Sequence, residues 1–257
     1  MSTAPDFVVG DLRVRVFDTV DDLAFAAAYD VAGAVNRAVE DRGEANVMFA
    51  SGLSQVAFLD ALVARPDVDW TRVAGFHMDE YVGMAPDHPA SFRRYMREHV
   101  VARVQPAEFH ELRGDAPDVD AEIERYTKLL EAHPLDVCCL GIGENGHLAF
   151  NDPPVADFDD PVDVKVVDLD ERCRAQQVGE GHFPTIADVP PRALTVTIPA
   201  LLRARTVVVV VPEARKAKPV HDALDGPVST DCPASILRRH PHATLYLDAG
   251  SSSLLGR

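Results

Sequence analysis

Apolar and polar positions along the chain alternate between two kinds of segment. Short β-branched or continuously apolar runs occur at Arg13 to Phe17, Asn46 to Phe49, Val73 to His77, Leu135 to Gly141, Ala193 to Ile198, Thr206 to Val211 and Thr244 to Leu247. Runs without polar alternation are expected where a sheet is covered on both faces. Between many of them lie helical patterns, at Val20 to Arg42, Ser54 to Ala64, Ser91 to Val101, Val119 to Ala132 and Arg215 to Leu224. Strands alternating with helices predict an α/β fold with a doubly wound, mostly parallel sheet and helices on both faces. No fixed-period repeat, Gly/Ser linker or low-complexity tract divides residues 1–257, so the pattern predicts a single domain. Its least regular region, Asn151 to Pro191, has one strand-like patch at Val162 to Val167. It predicts a lid-like segment over about 155–185, with plain surface connections as the alternative.

Such sheets bind ligands beyond the carboxyl ends of their strands, near the point where strand order reverses. Three strand ends carry polar or glycine-rich sequence: Ala50 to Ser54, His77 to Tyr81, and Gly141 to His147. The last spells GxGxxG through Gly141, Gly143 and Gly146, but Pro153 and Pro154 follow too soon for the helix that a dinucleotide site requires. What remains is a glycine-rich loop, including Gly143, that lets a ligand approach backbone amides.

Asp79 and Glu80 are adjacent at a strand end, so continued strand geometry would send one side chain to the pocket and the other into structure. A partly desolvated carboxylate there can act as a general base; a solvated acidic turn is the alternative. His147 sits among Glu144, Asn145 and Asp152, polar neighbours able to fix the tautomer of a proton-transferring imidazole. Ser51, Gly52, Leu53 and Ser54 open a helix and offer hydroxyls and free N–H groups to an anion, or an ordinary serine cap. His77 with Asp79, and His240 with His242, lack a third ligand at a workable spacing, and no HExxH is present, so no metal site is predicted. No GxSxG elbow is present, which leaves proton transfer as the better reading.

Composition narrows the partners. A formal net charge of -16 opposes broad attraction to nucleic acid or an anionic membrane surface, so an anionic substrate would need a local positive site. Hydrophobic residues at 47% and charged residues at 26% are ordinary for a globular chain able to bury a core. The cysteines Cys138, Cys139, Cys173 and Cys232 lack CxxC spacing and read as buried, reduced thiols. The N-terminal stretch lacks the basic start and apolar run of a secretory signal, and no run approaches the length of a membrane span, which predicts a cytoplasmic protein.

ASGLSQ at 50–55, FHMDEYVGMAPDHPASF at 76–92, LGIGENGHLAFNDPP at 140–154, ALTVTI at 193–198 and the segment around Lys216 together resemble the glucosamine-6-phosphate deaminase family, related to 6-phosphogluconolactonases. The resemblance implies aldose–ketose isomerisation with loss of ammonia, from glucosamine 6-phosphate to fructose 6-phosphate, with no metal or organic cofactor. It implies that Asp79 carries a proton between C2 and C1 and that His147 assists ring opening, oriented by Asn145 and Asp152. The Ser51–Ser54 loop and Lys216 would hold the phosphate. The chain departs from well-known members in carrying Asn145 and Asp152 where they carry Asp and Glu. Their phosphate-binding Arg aligns with Gln177, for which Arg172 or Arg174 could substitute. Of the positions that would form an allosteric amino-sugar phosphate site only Lys165 is kept, so no such activation is expected. The partner implied is a small sugar phosphate, with a homo-oligomer possible. A lactonase of the same fold and a non-catalytic sugar-phosphate sensor are the rival readings; MDEY and AFNDPP favour the deaminase, and no helix-turn-helix segment favours the sensor.

Overall fold

The computed structural model describes residues 6–256. Eleven strands among these residues are β1 (Phe7–Val9), β2 (Leu12–Phe17), β3 (Ala45–Phe49), β4 (Val73–His77), β5 (Asp79–Tyr81), β6 (Glu108–His110), β7 (Val137–Leu140), β8 (Val164–Asp168), β9 (Arg192–Val196), β10 (Thr206–Val211) and β11 (Ala243–Asp248). The α-helices are α1 (Val20–Arg42), α2 (Val56–Val63), α3 (Phe92–Met96), α4 (Ala102–Val104), α5 (Val119–Ala132), α6 (Glu171–Gly179), α7 (Ile198–Leu202) and α8 (Ala217–Asp225). A π turn at Arg97–Val101 joins α3 to α4.

Eight strands form one sheet in the order β1-β2-β11-β10-β7-β3-β4-β6, parallel throughout except for the β1–β2 hairpin. From β3 the chain builds outward through β4 to β6. It then returns to lay β7 against the other side of β3 and builds the opposite way through β10 and β11. Strand order therefore reverses between β3 and β7, and the crevice expected at such a point opens beyond Phe49 and Leu140.

Alternating side chains enter two hydrophobic clusters, one on each face. Val47, Phe49, Val137 and Cys139 pack with α1 and α2, whereas Met48, Cys138 and Leu140 pack with residues of α5, α7 and α8. The adjacent thiols Cys138 and Cys139 thus belong to different cores. All four cysteines are free, and Cys232 is only partly buried, unlike the other three. Helix α1 starts at Thr19, whose hydroxyl accepts from the Asp22 N–H, and stops at Gly43 in the left-handed region.

A second, antiparallel sheet runs β5-β9-β8. Its edge strand β8, together with α6, lies in the stretch expected to be irregular and lid-like. A third cluster holds this layer together: Tyr81, Phe92, Phe150, Cys173 and Phe183 are all buried in it. The segment is packed on its own small core, and its strand falls at Val164–Asp168. Among the described residues no helix is long and apolar enough to cross a membrane.

Candidate active site

The crevice, its open mouth included, spans about 560 Å³. Its walls come from the three strand ends, from α6 with its C-cap and from the turn before α8: Ser51, Gly52 and Ser54; Asp79; Gly143 and His147; Gln176, Gln177 and Glu180; and Lys216.

Asp79 begins β5, immediately after Met78 separates it from β4. Its side chain is buried, and Oδ1 makes no hydrogen bond. Burial, reinforced by the neighbouring Glu80 charge and only partly offset by the Ser51 hydroxyl, pushes its pKa up to about 8. A carboxyl group so placed is a strong base once ionised and a proton donor once protonated, near neutral pH in both directions.

Glu80 points the other way, into structure. Its carboxylate accepts from Ser91 Oγ at 2.7 Å and from the N–H groups of Phe92 and Arg93 at 3.3 and 3.1 Å, closing the start of α3. Its burial is complete and it does not line the crevice, so its assignment as a substrate-binding residue is corrected to a helix-capping one. The expectation that the two acids face opposite sides describes this arrangement.

His147 Nδ1 lies 2.7 Å from Asn145 Oδ1 and 2.9 Å from Asp152 Oδ1. Both oxygens are acceptors, so Nδ1 carries the proton and Nε2 is the nitrogen left to accept one from a ligand. Asn145 also donates to Asp152 Oδ1 at 2.9 Å and to Asp170 Oδ2 at 3.2 Å. Burial alone would raise the Asp152 pKa; the charge and hydrogen bond of His147, with Asn145 and the Asp170 N–H, outweigh it and hold the group low. Asn145 and Asp152 sit behind the imidazole and do not line the crevice. The loop is pinned to β9, where Asn151 Nδ2 donates to Val196 O and the Phe150 N–H donates to Thr195 Oγ1. Just before them Ala149 adopts a left-handed backbone, φ 51°, strain held at the site for a non-glycine residue.

Two glycines have distinct reasons to be there. Gly52 has φ 115°, a conformation that bends the loop back from β3. A Cβ on Gly143 would lie 2.1 Å from the His147 ring, so the space Gly143 clears is occupied by the imidazole itself. Ligand approach to the amides was the expected reason; the packed ring is the observed one.

Leu53 is exposed and does not line the crevice; it belongs to the single 3₁₀ turn Leu53–Gln55 that precedes α2. Arg172 and Arg174 are also absent from the walls. Arg172 is exposed, and Arg174 donates to the carbonyls of Ile186 and Val189 within its own layer, because α6 turns both away from the crevice. The face of α6 that does reach it carries Gln176, Gln177 and Glu180, with Gln177 Oε1 accepting from the Tyr81 hydroxyl at 2.8 Å. Lys216 is buried against the crevice, and that burial lowers its pKa, countered by Glu180. Lys165 is engaged with Val155 O and Asp160, away from this site.

His147 Nδ1, an Asp152 oxygen and Cys173 Sγ lie within 4.8 Å of one another, the one such cluster among the described residues. Its members bond to each other, Cys173 to Asp152 included, and His77 spends Nε2 accepting from the Leu112 N–H.

Residues 18–246 match the model of a family described as glucosamine-6-phosphate isomerases/6-phosphogluconolactonase. The chain is 38% identical over 190 residues to a glucosamine-6-phosphate deaminase of Exiguobacterium sibiricum, covering 73% of each chain. It is 35% identical over 213 residues to one from Listeria monocytogenes, covering 83% of this chain and 89% of that one. A solved monomeric glucosamine-6-phosphate deaminase superposes with a TM-score of 0.85 at 29% identity, over 94% of this chain and 99% of that one. A 6-phosphogluconolactonase from Shewanella baltica superposes at 0.77 with 20% identity, over 95% and 98%, a likeness of fold.

Proposed function

The chain belongs to the glucosamine-6-phosphate isomerase/6-phosphogluconolactonase family and is an enzyme of it, and from that premise we propose that it converts glucosamine 6-phosphate and water to fructose 6-phosphate and ammonia. The observation that carries the reading is a buried Asp79, its Oδ1 without a hydrogen-bond partner, sharing a crevice with an imidazole whose Nδ1 is committed and whose Nε2 is left for a ligand.

In this reading Nε2 of His147 accepts the proton of the ring hydroxyl as the sugar opens, and the imidazolium so formed is stabilised by Asp152 across 2.9 Å. Asp79 then removes the proton from C2 of the open-chain amino sugar and delivers it to C1. As the C2–H bond breaks, O1 takes up a proton given by the C2 ammonium group to form a C1=C2 enolamine. Protonation at C1 then turns C2 into an iminium carbon, to which water adds, and the C–N bond breaks to release ammonia as the C2 carbonyl forms. The hydroxyls and amides of the Ser51–Ser54 loop, together with Lys216, hold the phosphate. Asn145 keeps the geometry of the imidazole through neutral hydrogen bonds, so the carboxylate in direct contact with it is that of Asp152.

Ammonia release from glucosamine 6-phosphate by the purified protein tests this directly, with 6-phosphogluconolactone as the parallel substrate. Asp79→Asn is expected to lower kcat by about 10²–10⁴-fold, the usual worth of a general base. Full turnover in that variant, or lactone hydrolysis without ammonia release, would overturn the assignment.

A further inference from the structure

The charged and titratable side chains that line the crevice are Asp79, His147, Glu180 and Lys216. Lys216 is the cationic one, and Glu180 lies on the same wall system, at the end of α6. Glu180 is held from several sides: Arg215 Nη1 donates to Oε1 at 2.7 Å, Gln176 Nε2 donates to the same oxygen at 2.9 Å, and His182 Nε2 lies 3.5 Å from Oε2. Burial would raise its pKa, yet His182, Arg215, Gln176 and the charge of Lys216 hold it at about 2, so it stays ionised at every pH near neutrality.

Arg215, next along the chain to Lys216, is itself surrounded by carboxylates, with Glu213 at 2.7 Å and Glu144 at 3.5 Å besides Glu180. The guanidinium beside Lys216 is therefore already paired with carboxylates of the protein, and the Glu180 charge also acts on Lys216. A phosphate dianion arriving at Lys216 meets a fixed carboxylate that cannot shed its charge by protonation, whereas a neutral hydroxyl meets only a hydrogen-bond acceptor. Like charges brought together in a desolvated site oppose binding strongly.

We propose that Glu180 is a specificity-determining residue, a built-in anion at the Lys216 corner that the phosphate of a substrate has to displace. This rests on the reading of the crevice as a sugar-phosphate site. Glu180 sits between Gly179, where the nine-residue helix α6 ends, and Gly181, which has φ 79°.

Glu180→Gln keeps an amide oxygen for Arg215 and Gln176 and removes the charge. Isothermal titration of the purified protein with inorganic phosphate is expected to show about tenfold tighter binding in the variant, and KM for glucosamine 6-phosphate is expected to fall by a similar factor with KM for unphosphorylated glucosamine unchanged. Glu180→Ala, which deletes the whole carboxylate, serves as a second variant if the first loses its thermal transition. Unchanged or weaker phosphate binding in a folded variant overturns the proposal. Calorimetry reads anion competition without turnover. A wild-type protein that releases no ammonia would therefore defeat the deaminase reading while this measurement still decides the role of Glu180.

Discussion

Asp79 and Gly143 show how much chemistry rests on single side chains. Asp79 titrates near 3.8 when exposed and near 8 in the fold. Between those values the native protein holds a proton that the unfolded chain has lost, so Asp79 makes stability fall as pH rises through that window. Asp79→Asn removes this dependence without changing volume. We expect it to raise stability by on the order of 2–4 kcal/mol at pH 8 and by almost nothing at pH 4, as read from denaturant midpoints at both pH values. Equal effects at the two pH values would mean that Asp79 is ionised in the fold. At Gly143 a methyl group has nowhere to go but the imidazole, 2.1 Å away. Gly143→Ala is expected to cost at least about 10²-fold in kcat, because displacing a catalytic group by about 1 Å is enough for such a loss. Crystallography or imidazole NMR would find the His147 ring rotated off Asp152.

Among the elements, the strands and long helices were legible because their periodicity reports burial directly: α5 covers Val119–Ala132, as its pattern predicts. What the pattern missed is short or polar. Strand β5 is three residues, and two of them are acidic. Helix α6 reads as polar because its inward face is built from Cys173, Gln176 and Gln177, which satisfy partners in the crevice and behind it and contribute little apolar surface. The two arginines singled out in that helix lie on the outward side for the same reason: without a visible hydrophobic stripe its phase is unreadable. The role of Glu80 was half legible, since alternation sends it away from Asp79 but only the fold supplies Ser91 as its partner. Glu80 accepts from the Ser91 hydroxyl and the Phe92 and Arg93 N–H groups at the start of α3 and from the Tyr81 N–H. Glu80→Ala would leave these donors buried without that acceptor and take from the Arg93 guanidinium one of its two carboxylate neighbours. A loss of about 3–5 kcal/mol is expected from chemical denaturation, the usual result of removing one partner of a buried charged pair. A loss under ~1 kcal/mol would mean water replaces the carboxylate.

For the whole molecule, the sheet reversal between β3 and β7 gathers residues separated by more than a hundred positions into one crevice, and the family resemblance carried by MDEY and GENGHLAFNDPP is spread over those same strand ends. The net charge of -16 acts at this scale too. It repels a phosphorylated substrate over a Debye length of about 30 Å at ~0.01 M salt and about 8 Å at ~0.15 M. We expect kcat/KM for glucosamine 6-phosphate to rise about two- to fivefold across that range of ionic strength, with unphosphorylated glucosamine indifferent to it. A fall for the phosphorylated sugar would show that local attraction at Lys216 dominates.

The break at Met78 bears on how this protein could be recombined with its relatives. The strand pairs on one side of Met78 with β3 and β6 of the large sheet and on the other with β9 of the small one. Residues 155–185 are consequently not a cassette. A chimera that imports them from a relative also imports new partners for β9, and through β9 a new backing for the peptide of Asp79. Exchange is expected to succeed only when residues 79–81 and 192–196 travel with the insert, so that the base and its cover are inherited as one unit.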